Sequence, residues 1–156
     1  MSKIITEMRA LSIIQPWAEL IVSGKKNVEN RSWDSKHRGF VAIHASKAKT
    51  LFRFEDCKEV YNINVDPDSV AYGCVIGFAE VVDVISEDQV TNKTKKWFTG
   101  DYGLVVKNMI KLSNPVPVKG ALGYWKLKGQ TLSKCLVQLS AKQRLMIANN
   151  LLSPRP

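Results

Sequence analysis

The sequence predicts an α+β domain, a curved sheet or small β-barrel with helices packed around it. Five or six segments carry the apolar runs or period-2 alternation of strands, against two or three helical segments. The two kinds do not alternate as βαβ units would. Gly73, Gly77 and Gly103 lie inside or beside strand segments, where a barrel bends tightly. A chain of 156 residues with 45% apolar content suffices for one domain that buries roughly 70% of its extended surface. Residues 1–156 are therefore read as a single domain.

In chain order, residues 9–14 read as a first strand, closed by Pro16. Residues 15–23 form a short helix, since proline is tolerated in a first turn where its missing amide would have no acceptor. Trp17, Leu20 and Ile21 fall on one face of it, and Gly24 supplies a left-handed stop. The period then changes from 3.6 to 2. Lys26, Val28 and Asn30 point one way, while Asn27, Glu29 and Arg31 point the other. Glu29 and Arg31 share a face, and Lys26 at the strand entry leans toward it. A cation, a carboxylate and a cation delivered onto one strand edge suit a polar cleft better than a core.

Residues 32–39 are a polar connection rich in turn formers. Residues 40–45 read as a buried strand running into Ser46 and Lys47. Residues 50–62 are a helix with Leu51, Phe54, Val60 and Tyr61 as its apolar positions, and residues 65–69 break it with a turn. The stretch 73–85, dense in valine and isoleucine, is the strongest strand. A charged loop (86–96) leads through Trp97 to a strand at 102–112, an extended crossing at 115–120 and a last strand at 123–127. Residues 140–152 read as helical, with Leu145, Ile147, Ala148, Leu151 and Leu152 for packing.

A net charge of +9 and a pI near 9.6 favour polyanionic partners, nucleic acid before an anionic membrane surface; the alternative is lysine that only keeps the protein soluble. No apolar run approaches the ~20 residues that cross a bilayer, and residues 1–9 lack a secretory signal. Three scattered cysteines make neither a zinc pair nor a disulfide framework, so the expected compartment is the reducing cytoplasm. Two histidines without ligand spacing and no Gly-rich phosphate loop lead to an expectation of no metal and no cofactor.

Gly24, Lys26, Glu29 and Arg31 form the pattern Gly-x-Lys-x-x-Glu-x-Arg. Around it stand Leu11-Ser12-Ile13 with Gln15-Pro16-Trp17-Ala18, then Arg31-Ser32-Trp33 with His37-Arg38-Gly39, and Ile43-His44-Ala45-Ser46-Lys47. Gly73-Cys74-Val75-Ile76-Gly77 and Val116-Pro117-Val118-Lys119-Gly120 with Gly123-Tyr124-Trp125 complete the series. This ordered set resembles the ASCH domain (activating signal cointegrator homology), a branch of the PUA-like superfamily. The resemblance covers residues 9–127 and leaves 128–156 as a C-terminal extension. It implies a PUA-like small barrel with a cleft beside the first helix, holding the motif residues. It also implies binding of RNA or other nucleic acid, or of a nucleotide-like small molecule. Some members belong to transcription coactivators, so a protein-interaction module in transcription regulation is a further reading. Other members resemble amidohydrolases that deacylate modified cytidine, and ribonuclease activity is attributed to the family.

Each candidate residue has two readings. Lys26 and Arg31 can neutralise phosphates and Glu29 can accept from a base, or Glu29 and Arg31 can form an internal ion pair. Trp33 can stack on a base, whereas Trp17 has the spacing of a core position. His37 and Arg38 can meet phosphate or remain solvated loop charge. His44 interrupts an apolar strand and needs a partner if buried, while Ser46 and Lys47 follow at a strand end where ligand contacts are common. Glu80, inside the valine-rich strand, needs a cation or donor, with Lys26 the candidate. If the protein is an enzyme, Lys26, Glu29 and Glu80 are the acid–base groups. The threonine of the amidohydrolase branch corresponds to Glu29, which removes the hydroxyl nucleophile and favours binding over deacylation.

Overall fold

The computed structural model describes residues 4–151 and the backbone of residues 153 and 154. The elements run β1 (Glu7–Ile13), α1 (Trp17–Val22), β2 (Val28–Arg31), β3 (His37–Ala45), α2 (Leu51–Tyr61), β4 (Cys74–Ile85), β5 (Tyr102–Pro117), β6 (Tyr124–Lys128), α3 (Gly129–Leu136), α4 (Ala141–Asn149) and β7 (Ser153–Pro154). The sheet order is β2-β5-β4-β3-β1-β6, with β7 added to the start of β3. β1 and β3 are parallel, and the other neighbours antiparallel.

The fold is mixed α+β, but the expected barrel closure is not made. Among the described residues no backbone pairing joins β2 to β6. The two ends approach through side chains instead. Trp33, just beyond β2, packs edge-on against Tyr124 at the start of β6, with centroids 5.2 Å apart. Register shifts between β3 and β4 and along β4–β5 bend the sheet, as bulges do.

β3 is apolar throughout its centre because it is buried on both faces. Val41, Ile43 and Ala45 join Leu11, Ile13 and the α1 residues Ala18, Ile21 and Val22 in one core. Phe40 and Ala42 join Met8, Ala10, Phe78 and the helical residues Leu132, Cys135 and Ile147 in the other. A third cluster, Leu20, Val28, Cys57 and Trp97, ties α1, β2 and α2 to the segment before β5. Gly77 lets α1 lie directly on β4: a Cβ there would collide with the Ile110 carbonyl and come 2.7 Å from Val22 Cγ1.

The turn out of α1 is as expected. The Lys25 amide donates to Leu20 O at 2.9 Å and the Gly24 amide to Ile21 O at 3.0 Å, with Gly24 at φ +83°. This paired closure is the Schellman arrangement, and it leaves the next residue, Lys26, two positions ahead of β2, which begins at Val28 rather than at 26. Upstream, α1 starts at Trp17 rather than 15, because the Gln15 side chain serves the helix from outside. Its Oε1 accepts from the Glu19 amide at 2.9 Å and its Nε2 donates to Ala71 O at 3.0 Å.

Other boundaries differ too. His37–Gly39 are strand rather than connection, and β7 pairs with His37 and Arg38. Residues 115–117 continue β5. Residues 129–136 form a helix that no periodic pattern announced, with Leu132 and Cys135 buried. The C-terminal helix ends at Asn149, and Leu152 lies outside the described residues. Among those residues no helix is long and apolar enough to cross a membrane.

Candidate functional site

The motif side chains fold onto one another. Lys26 is 4% exposed and Glu29 8%. The Lys26 ammonium donates to Val28 O, lies 3.6 Å from Glu29 Oε1 and sits 5.9 Å from the ring centroids of Trp17 and Trp97. Burial lowers its pKa from the ordinary lysine value; the charge of Glu29 opposes the shift, and that of Arg31 adds to it. The other Glu29 oxygen, Oε2, accepts from Arg31 Nε at 3.1 Å and meets Nη2 at 2.9 Å. Nη2 also donates to Ser12 O at 2.8 Å, which leaves Nη1 without a hydrogen bond among the described residues. One carboxylate thus holds two cations, and the expected internal ion pair is formed.

The positions between these charges also act. Asn27 Nδ2 donates to Lys93 O at 2.9 Å. Asn30 Nδ2 donates to Trp97 O at 2.8 Å, and its Oδ1 accepts from the Thr99 amide at 2.9 Å. Both asparagines fasten the segment before β5 to β2.

A second network lies nearby. Val118 O can only accept, so the 2.7 Å contact with His44 places the proton on Nε2. Nδ1 then accepts from the Ser12 hydroxyl at 2.9 Å, and Ser12 Oγ accepts from Trp125 Nε1 at 3.0 Å. Burial depresses the His44 pKa, opposed by the Val118 bond, in keeping with this neutral tautomer. Gly120 packs onto the pair so closely that a Cβ would stand 2.7 Å from the His44 ring.

Both networks open into one cleft of about 1800 Å³. Ser12, Lys26, Glu29, Arg31 and His44 line it, with Arg53, Asp56, Val60 and Tyr61 of α2 on one side and residues 118–123 on another. Five basic side chains (Lys26, Arg31, Lys47, Arg53, Lys119) and two carboxylates (Glu29, Asp56) are among its lining residues. Lys47 and Lys119 are exposed and make no ion pair among the described residues. Leu122, 98% exposed, stands on the rim.

Of the residues expected at the site, Lys26, Glu29, Arg31, Trp33, His44, Ser46 and Lys47 line this cleft; His37, Arg38 and Glu80 do not. His37 opens β3 with its ring 5.9 Å from Tyr124, and its pKa is depressed by burial and by Arg9. Arg38 Nη2 lies 3.6 Å from Asp83, and Nη1 donates to Ser35 O and His37 O at 2.9 and 3.0 Å. The expected Lys26–Glu80 pair is absent. Glu80 stands on β4 opposite Phe40 and Lys107 and accepts from Asn108 Nδ2 at 2.9 Å, while Lys26 has Glu29.

Sequence reasoning missed Ser12, Arg53, Tyr61, Tyr72 and Lys119 as lining residues. Arg53, Asp56 and Val60 recur at helical spacing beside the buried Phe54 and Cys57, and that second face was the available signal. Among the described residues no group of three or more His, Cys, Asp or Glu side chains could hold a metal ion.

The bent mixed sheet, with a buried Lys–Glu–Arg network beside its first helix, is of the PUA-like type. The chain belongs to the ASCH domain family, whose pattern matches residues 11–130. It is 29% identical over 148 residues to Activating signal cointegrator 1 of Homo sapiens, covering 89% of this chain and 24% of that protein; the Mus musculus protein gives the same figures. The chain thus spans about a quarter of the length of these relatives. A crystal structure of ASCH from Zymomonas mobilis superposes with a TM-score of 0.50 at 15% identity, over 85% of this chain and 96% of that one, which is a likeness of fold.

Proposed function

We propose that this ASCH domain binds nucleic acid in the cationic cleft. The observation that carries the reading is the division of charge. The Lys26–Glu29–Arg31 network is tied up internally, whereas Lys47 and Lys119 stand exposed at the rim with no ion pair among the described residues. Rim lysines meet phosphates, and Arg31 turns its free Nη1 donors toward a base edge or phosphate oxygen. Trp33, Tyr61, Tyr72, Ser46 and His44 complete a lining of aromatic and polar groups for one nucleotide. The hydrolase alternative draws less support. Glu80 lies outside the cleft, and Glu29 stands where the amidohydrolase branch has its threonine.

The test is fluorescence anisotropy with labelled single-stranded RNA and DNA across a salt series. Affinity should fall steeply with salt, and Lys47→Gln with Lys119→Gln should lower the salt exponent by about 1.4, at about 0.7 per phosphate contact on a single strand. Binding that is absent, or indifferent to salt and to both substitutions, refutes the reading.

A further inference from the structure

The charged loop before β5 has a role that the cleft does not absorb. Its sequence, Thr91-Asn92-Lys93-Thr94-Lys95-Lys96-Trp97, intersperses three exposed lysines with two buried anchors: Lys93 precedes Thr94, and Lys95 and Lys96 lie between Thr94 and Trp97. The loop is built rather than slack. The Thr91 amide donates to Thr94 Oγ1 at 3.0 Å, and the Lys95 amide to Thr91 O at 2.9 Å. Asn27 and Asn30, inside the charge motif, bind Lys93 O, Trp97 O and the Thr99 amide from the other side.

The loop is continuous with the cleft. Trp97 stacks on Tyr61 with centroids 4.2 Å apart, and Tyr61 and Thr99 both line the cleft. Lys96 lies over the same indole, 5.1 Å from its centroid. Lys25, exposed at the α1 turn, stands two residues before Asn27. None of Lys25, Lys93, Lys95 and Lys96 makes an ion pair among the described residues, in contrast to Lys49, Lys111 and Lys126. Lysines that only solubilise a surface need no such anchoring, whereas a backbone held in place loses little freedom on binding a partner.

We infer that residues 93–96, with Lys25, form a phosphate track along which a single strand continues after one of its nucleotides enters the cleft. The inference rests on the nucleic-acid reading and adds the path of the flanking strand. It requires the phosphate repeat of a polynucleotide, since an isolated nucleotide in the cleft would not reach the loop.

The experiment measures binding of a trinucleotide and of a strand of about twelve nucleotides, within the span that single-strand binding folds cover. The parent protein is compared with a triple variant, Lys93→Gln, Lys95→Gln and Lys96→Gln. A control, Lys128→Gln, Lys134→Gln and Lys142→Gln, removes equal charge beyond the opposite edge of the sheet, and thermal melting checks both folds. The track variant should bind the long strand about 100-fold more weakly at about 0.1 M salt, with a salt exponent lower by about 2. Its trinucleotide affinity should match the parent's, and arginines at the three positions should restore the long strand. An unchanged exponent, or an equal loss in the control, overturns the track while leaving the cleft reading intact. Loss of binding only to heparin or anionic vesicles overturns it too. A parent that binds neither oligonucleotide overturns both readings together.

Discussion

Replacing Glu29 with glutamine isolates what the motif carboxylate does. The substitution keeps the side-chain shape and removes the one negative charge between Lys26 at 3.6 Å and Arg31 at 2.9 Å. All three side chains are largely withdrawn from water, with 5%, 11% and 18% of Lys26, Glu29 and Arg31 side chain exposed. Removing one partner of a buried pair costs about 3–5 kcal/mol, because the surviving charge is left without compensation. Here the lower end applies, since Lys26 keeps Val28 O and Arg31 keeps Ser12 O as acceptors. A loss of about 3 kcal/mol lowers the melting temperature of a chain this size by about 6–12 °C. The assay is thermal and urea denaturation of parent, Glu29→Gln, Lys26→Met and the double variant. Because the residues touch, the double variant should lose much less than the sum of the singles. A Glu29→Gln protein within about 1 kcal/mol of the parent, or strictly additive losses, would refute the idea that the carboxylate holds the network together.

Two further outcomes follow from other parts of the structure. Burial keeps the folded-state pKa of His44 below the ordinary 6.5, so below that pH the unfolded chain takes up more protons than the folded one. Stability is therefore fully expressed above pH 6.5 and declines as the pH falls below it, by at most about 1.4 kcal/mol per pH unit for this one group. His37 shifts in the same direction, so the readout is the difference in urea-midpoint slope between parent and His44→Gln; equal slopes exclude the effect. Gly77→Ala forces a methyl against the Ile110 carbonyl and Val22, and should destabilise by about 3 kcal/mol as overpacking does; an unchanged melting curve would show that α1 does not rest on β4.

The turn from α1 through Gly24 into β2 was legible because every signal there is local. The apolar spacing of Trp17, Leu20 and Ile21, the glycine and the change of period lie within sixteen residues. The start of β3 was not legible, because His37-Arg38-Gly39 has turn composition and its strand partners are distant: β7, more than a hundred residues away, for His37 and Arg38, and Val81 of β4 for Gly39. α3 escaped for a related reason: Thr131 and Ser133 are weak helix formers, and the helix stands by placing Leu132 and Cys135 in the second core. Barrel closure is a long-range register that no segment states. At the site, the pairing of Glu29 with Arg31 could be read from period 2, whereas Lys26, which alternation sets on the other face, reaches Glu29 from the entry to β2, ahead of Val28. The partner of Glu80 could not, since alternation tells which way a side chain points but not what lies there. Ser12 and Lys119 reach the cleft from β1 and from the loop before β6, and only the fold brings them together.

The same division decides which charges a ligand would feel. The motif carries two cations and one carboxylate, and at a distance the Glu29–Arg31 pair at 2.9 Å contributes a dipole rather than a charge. The field that steers a polyanion then comes from Lys47, Arg53 and Lys119, residues outside the motif pattern. Close to the floor the balance changes. The motif holds one cation more than it has carboxylates, in surroundings that screen charge poorly, and Arg31 Nη1 adds directional donors beside it. Under the proposed reading the rim sets the rate and salt dependence of capture, while the floor sets which group of the captured nucleotide is held. Neutralising rim lysines should therefore act mainly on association, and Arg31→Lys, which keeps the charge but loses the planar fork, mainly on dissociation. Stopped-flow kinetics on the two variants separates these effects. If Arg31→Lys slowed association and left dissociation unchanged, the guanidinium would be part of the steering field rather than a contact at the floor.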